Sequence, residues 1–204
     1  MRDKEALRHG PLGAGCAHLC VDMQKLFDTG SPWETPWLRR VLPVVERLAA
    51  AHPEAGIFTR FVPVERSGQG EGTWRRYYER WSEMTLEALP PDAVELVAPL
   101  QRFVPPGIVV DKKVYSPWEG TGLDALLRER GVDSLVISGA ETDVCVLAAV
   151  LGAVDRGYRV VVPVDAICSS SDASHDALLE LYTRRFGQQV ETATTEEILA
   201  AWRP

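Results

Sequence analysis

Residues 134–171, SLVISGAETDVCVLAAVLGAVDRGYRVVVPVDAICSSS, constrain the fold more than any other stretch of the chain. Residues 134–139 form a short apolar run, the kind that fills a parallel strand covered on both faces. Val144, Leu147, Leu151 and Val154 then recur at helical spacing. Thr142 or Asp143 stands where a side-chain oxygen can cap the first turn, and Gly157 closes the helix. Residues 159–164 return as a strand, so the unit is strand, helix, parallel strand. Cys145 therefore falls in the first turn of a helix, at the carboxyl end of a strand. Unpaired N–H groups and the positive end of the helix dipole favour a thiolate there and can hold an oxyanion. A nucleophile is one reading of Cys145, and a small buried apolar residue is the other.

The same pattern extends along the chain. Residues 17–23 (AHLCVDM), 56–62 (GIFTRFV), 108–113 and 189–192 read as further strands. Helices are expected over 38–51, with Pro43 in the first turns, over 121–130 and over 173–185. Thr194 or Thr195 with Glu197 resembles a capping box before a short terminal helix. His175, in a first helical turn, reads as a structural hydrogen-bonding residue. Six strands with intervening helices imply a three-layer α/β/α fold around a doubly wound, six-stranded parallel sheet. One domain over residues 1–204 is expected, with 1–15 a loose arm and 63–107 a long irregular insert. Within that insert lie Trp74, Arg75, Arg76, Tyr77, Tyr78, Arg80 and Trp81, read as a loop over the site or a subunit contact.

Charge narrows the partners. The 204 residues carry a net charge of −7 with a pI near 5.2, which argues against nucleic acid or an anionic membrane surface. Glu71, Glu79 and Glu83 offset the arginines of the aromatic segment. No apolar run approaches the ~20 residues that span a bilayer, and the first fifteen residues lack the apolar core of a signal peptide. The spacing of Cys16, Cys20, Cys145 and Cys168 matches no zinc or disulfide framework. Free thiols in a cytoplasmic protein are the expectation.

Ligands of doubly wound sheets bind beyond the carboxyl ends of the strands. Asp22, Cys145 and a lysine at 112 or 113 all stand at such ends. Spacing does not choose between Lys112 and Lys113, since successive side chains face opposite ways. Asp22 can equally be a turn acid. An acid, a cation and a thiol converging at one edge suit a thiol hydrolase.

VDMQ at 21–24, KKVYSPWEGTGL at 112–123 and GAETDVCV at 139–146, followed by GYRVVVPVDA at 157–166, resemble the isochorismatase-like cysteine hydrolases. The resemblance runs over residues 17–202. It implies a triad of Asp22, Lys112 and Cys145, and a cis peptide at Ala140–Glu141. It also implies an oxyanion site built on the backbone around Ala140, Glu141 and Cys145. Glu141 is larger than the small residue expected at its position. Where the nicotinamidase branch carries an Asp-x-His metal site, this chain reads Thr59-Arg60-Phe61. No metal and no cofactor are therefore expected. The branch that cleaves vinyl ethers typically lacks the cysteine, so its presence favours C–N hydrolysis of a small amide, ureido or carbamoyl compound. An isochorismatase-type reaction on Asp22 alone is the alternative. Trp33, Trp37, Tyr115 and Trp118 are expected as pocket walls. A small-molecule substrate and a homodimer or homotetramer complete the expectation.

Overall fold

The computed structural model describes residues 7–203. Seven strands run parallel: β1 (Cys16–Val21), β2 (Gly56–Phe61), β3 (Ile108–Lys112), β4 (Ser134–Ala140), β5 (Arg159–Pro163), β6 (Ile167–Cys168) and β7 (Val190–Ala193). Six of them lie in the order β3-β2-β1-β4-β5-β7, and the two-residue β6 pairs with the end of β4. The expected doubly wound sheet is thus present, with one short strand added.

Alternation along each strand feeds two apolar layers. Cys20, Phe58, Val136 and Val161 face the layer of α1 (Leu38–Ala51), where they join Leu38, Val41, Val45 and Leu48. Leu19, Val21, Ile57, Ile137, Val160 and Val162 face the opposite layer. There they meet Val146, Ala149, Val150 and Ala153 of α5 (Cys145–Asp155). The remaining helices are α2 (Thr73–Arg80), α3 (Ala98–Gln101), α4 (Leu123–Glu129), α6 (Asp172–Glu180) and α7 (Thr195–Ala201). Thr194 and Glu197 close a reciprocal capping box on α7. Among the described residues, no helix is long and apolar enough to cross a membrane.

Three expectations about local structure change. Residues 74–81 are not a loop but mostly helix α2. Trp74, Tyr77, Tyr78 and Trp81 sit at i, i+3, i+4 and i+7, an apolar stripe that packs on the core while Arg75, Arg76 and Arg80 remain exposed. The described part of the amino-terminal arm is tied down rather than loose. Leu7 and Leu12 are buried, and Leu12 exchanges backbone hydrogen bonds with Ala201 and Arg203. Residues 1–6 of that arm lie outside the described residues. Finally, neither Thr142 nor Asp143 caps α5, because both side chains are engaged elsewhere. Thr142 Oγ1 pairs with His175 Nδ1 at 2.8 Å, and Asp143 Oδ1 accepts from Ser169 Oγ at 2.5 Å.

A buried imidazole makes stability depend on pH. His18 on β1 is fully buried; its Nε2 meets Ser138 Oγ at 2.7 Å and its Nδ1 has no partner among the described residues. Burial lowers its pKa from the ordinary 6.5 to about 3. Between those values the unfolded chain binds a proton that the folded chain refuses. Stability should therefore hold above pH 6.5 and fall below it, by about 1.4 kcal/mol per pH unit from this group. Urea titrations of the protein and of His18→Gln from pH 7 to pH 5 check this. The wild type should lose the difference and the variant should lose less.

Candidate active site

The winding of the sheet places the site. From β1 the chain proceeds outward through β2 to β3, then returns to β4 on the other side of β1. The direction of winding reverses between β1 and β4, and such a point leaves a crevice beyond the strand ends. Asp22 follows β1, Lys112 ends β3, and Cys145 opens α5 a short turn after β4.

The three side chains meet there. Lys112 Nζ lies 2.7 Å from Asp22 Oδ2 and donates to Cys145 Sγ at 3.3 Å and to the Val114 carbonyl at 3.1 Å. Both members of the ion pair are fully buried. The alternation that leaves two lysines open resolves here, since Lys113 is exposed. The Lys112–Asp22 contact is a fully buried ion pair of hydrogen-bond length. Beyond that ion pair Oδ2 has no hydrogen-bond partner among the described residues, and its second lone pair can accept from the thiol. The other oxygen, Oδ1, accepts from Thr59 Oγ1 at 2.5 Å, and Thr59 Oγ1 in turn accepts the Asp22 backbone N–H at 3.1 Å. Asp22 adopts a left-handed backbone (φ 50°), unusual for a residue other than glycine, and this double tether holds it.

The protonation state differs from expectation. Burial raises the Cys145 thiol well above the ordinary range, and the nearby Asp22 carboxylate pushes it the same way. Lys112 opposes both without overcoming them. The resting group is a thiol, because desolvation outweighs the end of the helix dipole that a first-turn position suggests. Lys112 follows the opposite balance. Burial disfavours its charge, but Asp22 and Cys145 more than compensate, so its pKa rises and it stays an ammonium.

Backbone donors lie beside the sulfur. The Ala140–Glu141 peptide is cis. The Glu141 carbonyl accepts from Val144 and Val146 (3.1 and 3.0 Å), while the N–H groups of Glu141 and Cys145 have no hydrogen-bond partner among the described residues. Ala140 itself is buried at the end of β4.

Above Cys145 opens a cavity of about 380 Å³. Trp33 and Tyr115 line it, as expected, together with Phe27, Phe61, Tyr77 and Trp81, which sequence reasoning does not place there. Trp37 and Trp118 do not line it. Trp37 is partly exposed beneath the Arg40 guanidinium, beside a separate hollow. Trp118 is buried in the α4–α5 layer, where its Nε1 donates to the Ala149 carbonyl at 3.0 Å and its ring stacks on Tyr158. Both follow loop segments, in which no period sets the direction of a side chain.

Sequence reasoning also misses two supporting residues. One is Thr59, legible only as a polar residue within an apolar strand. The other is Gln24, whose amide accepts from Phe61 N–H at 2.7 Å and donates to the Phe61 and Val94 carbonyls at 3.0 and 2.7 Å. It fixes the end of β1 against the end of β2. In Thr59-Arg60-Phe61, Thr59 is spent on Asp22 and Arg60 on Asp111 and Glu95, so the segment offers no metal ligand set. Among the described residues, no cluster of three or more His, Cys, Asp or Glu side chains is arranged to hold a metal ion.

Comparison with known proteins bears on the fold and the family. A cysteine hydrolase structure from Pseudomonas syringae pv. phaseolicola 1448A superimposes with a TM-score of 0.78 at 25% identity, covering 97% of this chain and 96% of that one. A ureidoacrylate amidohydrolase, RutB, of Methylorubrum extorquens is 30% identical over 188 residues, covering 78% of this chain and 71% of its own. The N-carbamoylsarcosine amidase of an Arthrobacter species is 28% identical over 150 residues, 68% of this chain and 53% of its own. The chain spans about half the length of several curated relatives that it matches. The Isochorismatase domain model matches residues 16–194, from the first residue of β1 to just past β7. The chain belongs to the isochorismatase family.

Proposed function

We propose that this protein is a metal-independent hydrolase that cleaves a C–N bond of a small amide, ureido or carbamoyl compound, with Cys145 as nucleophile. One observation carries the reading: Cys145 lines an aromatic cavity, and its thiol is backed by a buried carboxylate–ammonium pair, Asp22 and Lys112. The relatives named as amidases and amidohydrolases support the same class of reaction.

The chemistry follows from the resting thiol. As Sγ attacks the carbonyl carbon, its proton passes to Asp22, so a free thiolate need not accumulate. Charge moves onto the carbonyl oxygen, which the unspent N–H groups of Glu141 and Cys145 receive. Asp22 then returns the proton to the departing nitrogen as the C–N bond breaks, leaving a thioester. Water, deprotonated by Asp22, attacks that thioester. The C–S bond breaks and Cys145 regains its proton. Lys112 remains charged throughout and stabilises negative charge on whichever partner carries it.

Mass spectrometry of samples quenched in acid during turnover of a panel of small primary amides tests the reading. An acyl adduct on the Cys145 peptide is expected, and Cys145→Ala should form none and turn over nothing. Full turnover by Cys145→Ala would overturn the thioester route. Pyruvate release from isochorismate by that variant would instead establish vinyl-ether hydrolysis on Asp22.

A further inference from the structure

The walls of the cavity are aromatic and acidic. Trp33 stacks on Phe27 (ring centroids 6.1 Å apart) and contacts Phe61, Tyr77 and Trp81 at 5.9, 5.7 and 6.2 Å. Tyr115 joins these rings at the rim. Glu34 and Glu141 are the charged residues among the lining side chains, and no arginine or lysine lines the cavity among the described residues. Lys112, buried behind Cys145, does not supply the missing positive charge, because it is paired with Asp22 at 2.7 Å. Backbone amides position both acids without neutralising them. Glu34 Oε2 accepts from Gly30 N–H at 2.8 Å and Glu141 Oε1 from Ser170 N–H at 2.9 Å. Neither acid has an ion-pair partner among the described residues. Burial raises the Tyr115 phenol, and the Glu141 carboxylate pushes the same way while Lys112 opposes it.

Building on the hydrolase reading, we propose that the substrate carries a cationic substituent, an ammonium or quaternary ammonium group, on the part that fills this chamber. Aromatic faces attract a cation through their negative quadrupole, and two fixed carboxylates add to that attraction. A carboxylate substituent of the same size would meet two like charges and no counter-ion. An uncharged group would gain only apolar contact. Glu141 acts twice in this scheme: its N–H faces the reacting oxygen and its side chain faces the substrate's charge. This explains why a glutamate stands where a small residue is expected.

The test uses the full chain with Cys145→Ala, which leaves the walls intact, and follows the fluorescence of Trp33 and Trp81. Three probes share one reacting amide: trimethylglycinamide, its uncharged isostere 3,3-dimethylbutanamide, and the anion malonamate. The cation should bind about tenfold or more tighter than its isostere, with malonamate the weakest. Adding Glu34→Gln and Glu141→Gln should cut that preference to about threefold or less. Equal affinities, tightest binding of malonamate, or no saturable binding of the cation would overturn the proposal. The acyl-adduct measurement on the wild type separates the two readings. Cation preference beside an inert thiol would sink only the hydrolase, and an acylated thiol without cation preference would sink only the cationic substrate.

Discussion

Asp22→Asn should reduce turnover by about 10³-fold and also destabilise the fold by about 3–5 kcal/mol. The first effect follows from the proposed proton route, since an amide cannot take the thiol proton. The second follows from burial alone. Asp22 and Lys112 are both fully removed from solvent, so neutralising one leaves the other as an uncompensated charge. The two effects come apart in the double variant Asp22→Asn/Lys112→Met, which removes both charges. Much of the lost stability should return, because a buried pair replaced by uncharged groups costs far less than a broken pair. Activity should not return. Urea unfolding and initial rates on the same preparations read both quantities. Equal stability of Asp22→Asn and wild type would contradict the buried pair, and undiminished turnover would remove Asp22 from the chemistry.

Gly139→Ala should cost about 3 kcal/mol or more. Gly139 lies opposite Val21 in the β1–β4 register and has φ +110°, a backbone that side chains rarely tolerate. An added Cβ would run into the Val21 carbonyl oxygen and approach its nitrogen to 2.8 Å, and both are backbone atoms that cannot swing aside. The displaced residue immediately precedes Asp22, so any relaxation moves the carboxylate away from Cys145. Both the unfolding midpoint and turnover should fall. Gly152→Ala is a useful contrast, because its Cβ meets the Trp118 ring rather than backbone and leaves the strand ends alone.

The convergence of Asp22, Lys112 and Cys145 is legible because strand ends are legible. The strand-like runs at 17–23, 108–113 and 134–139 announce themselves, and the rule that ligands gather at carboxyl ends then brings an acid, a lysine and a thiol to one edge. Alternation supplies what spacing leaves open at Lys112 and Lys113 only once the register of β3 against β2 is known. The aromatic stripe of α2 is present in the sequence at helical spacing. Interleaved arginines mask it, because Arg75, Arg76 and Arg80 occupy the outer face of the same turns. The direction of Trp37 and Trp118 is not legible, since each follows an irregular segment. Nor is the protonation of Cys145. A first-turn position favours a thiolate when water is near, and the depth of burial that reverses this depends on contacts made by distant segments.

Under the proposed chemistry, the reversal of winding between β1 and β4 also governs when the chain becomes reactive. The proposed base, ammonium and nucleophile are Asp22, Lys112 and Cys145, and none has the others as neighbours along the chain. A partly synthesised polypeptide carries an ordinary cysteine and an ordinary aspartate. The two meet only when the central strands pair, so for the proposed hydrolase assembly of the sheet would itself be the activation step. Any cut or permutation that leaves the pairing of β1 with β4 intact should preserve that switch, whichever end of the molecule the chain then starts from.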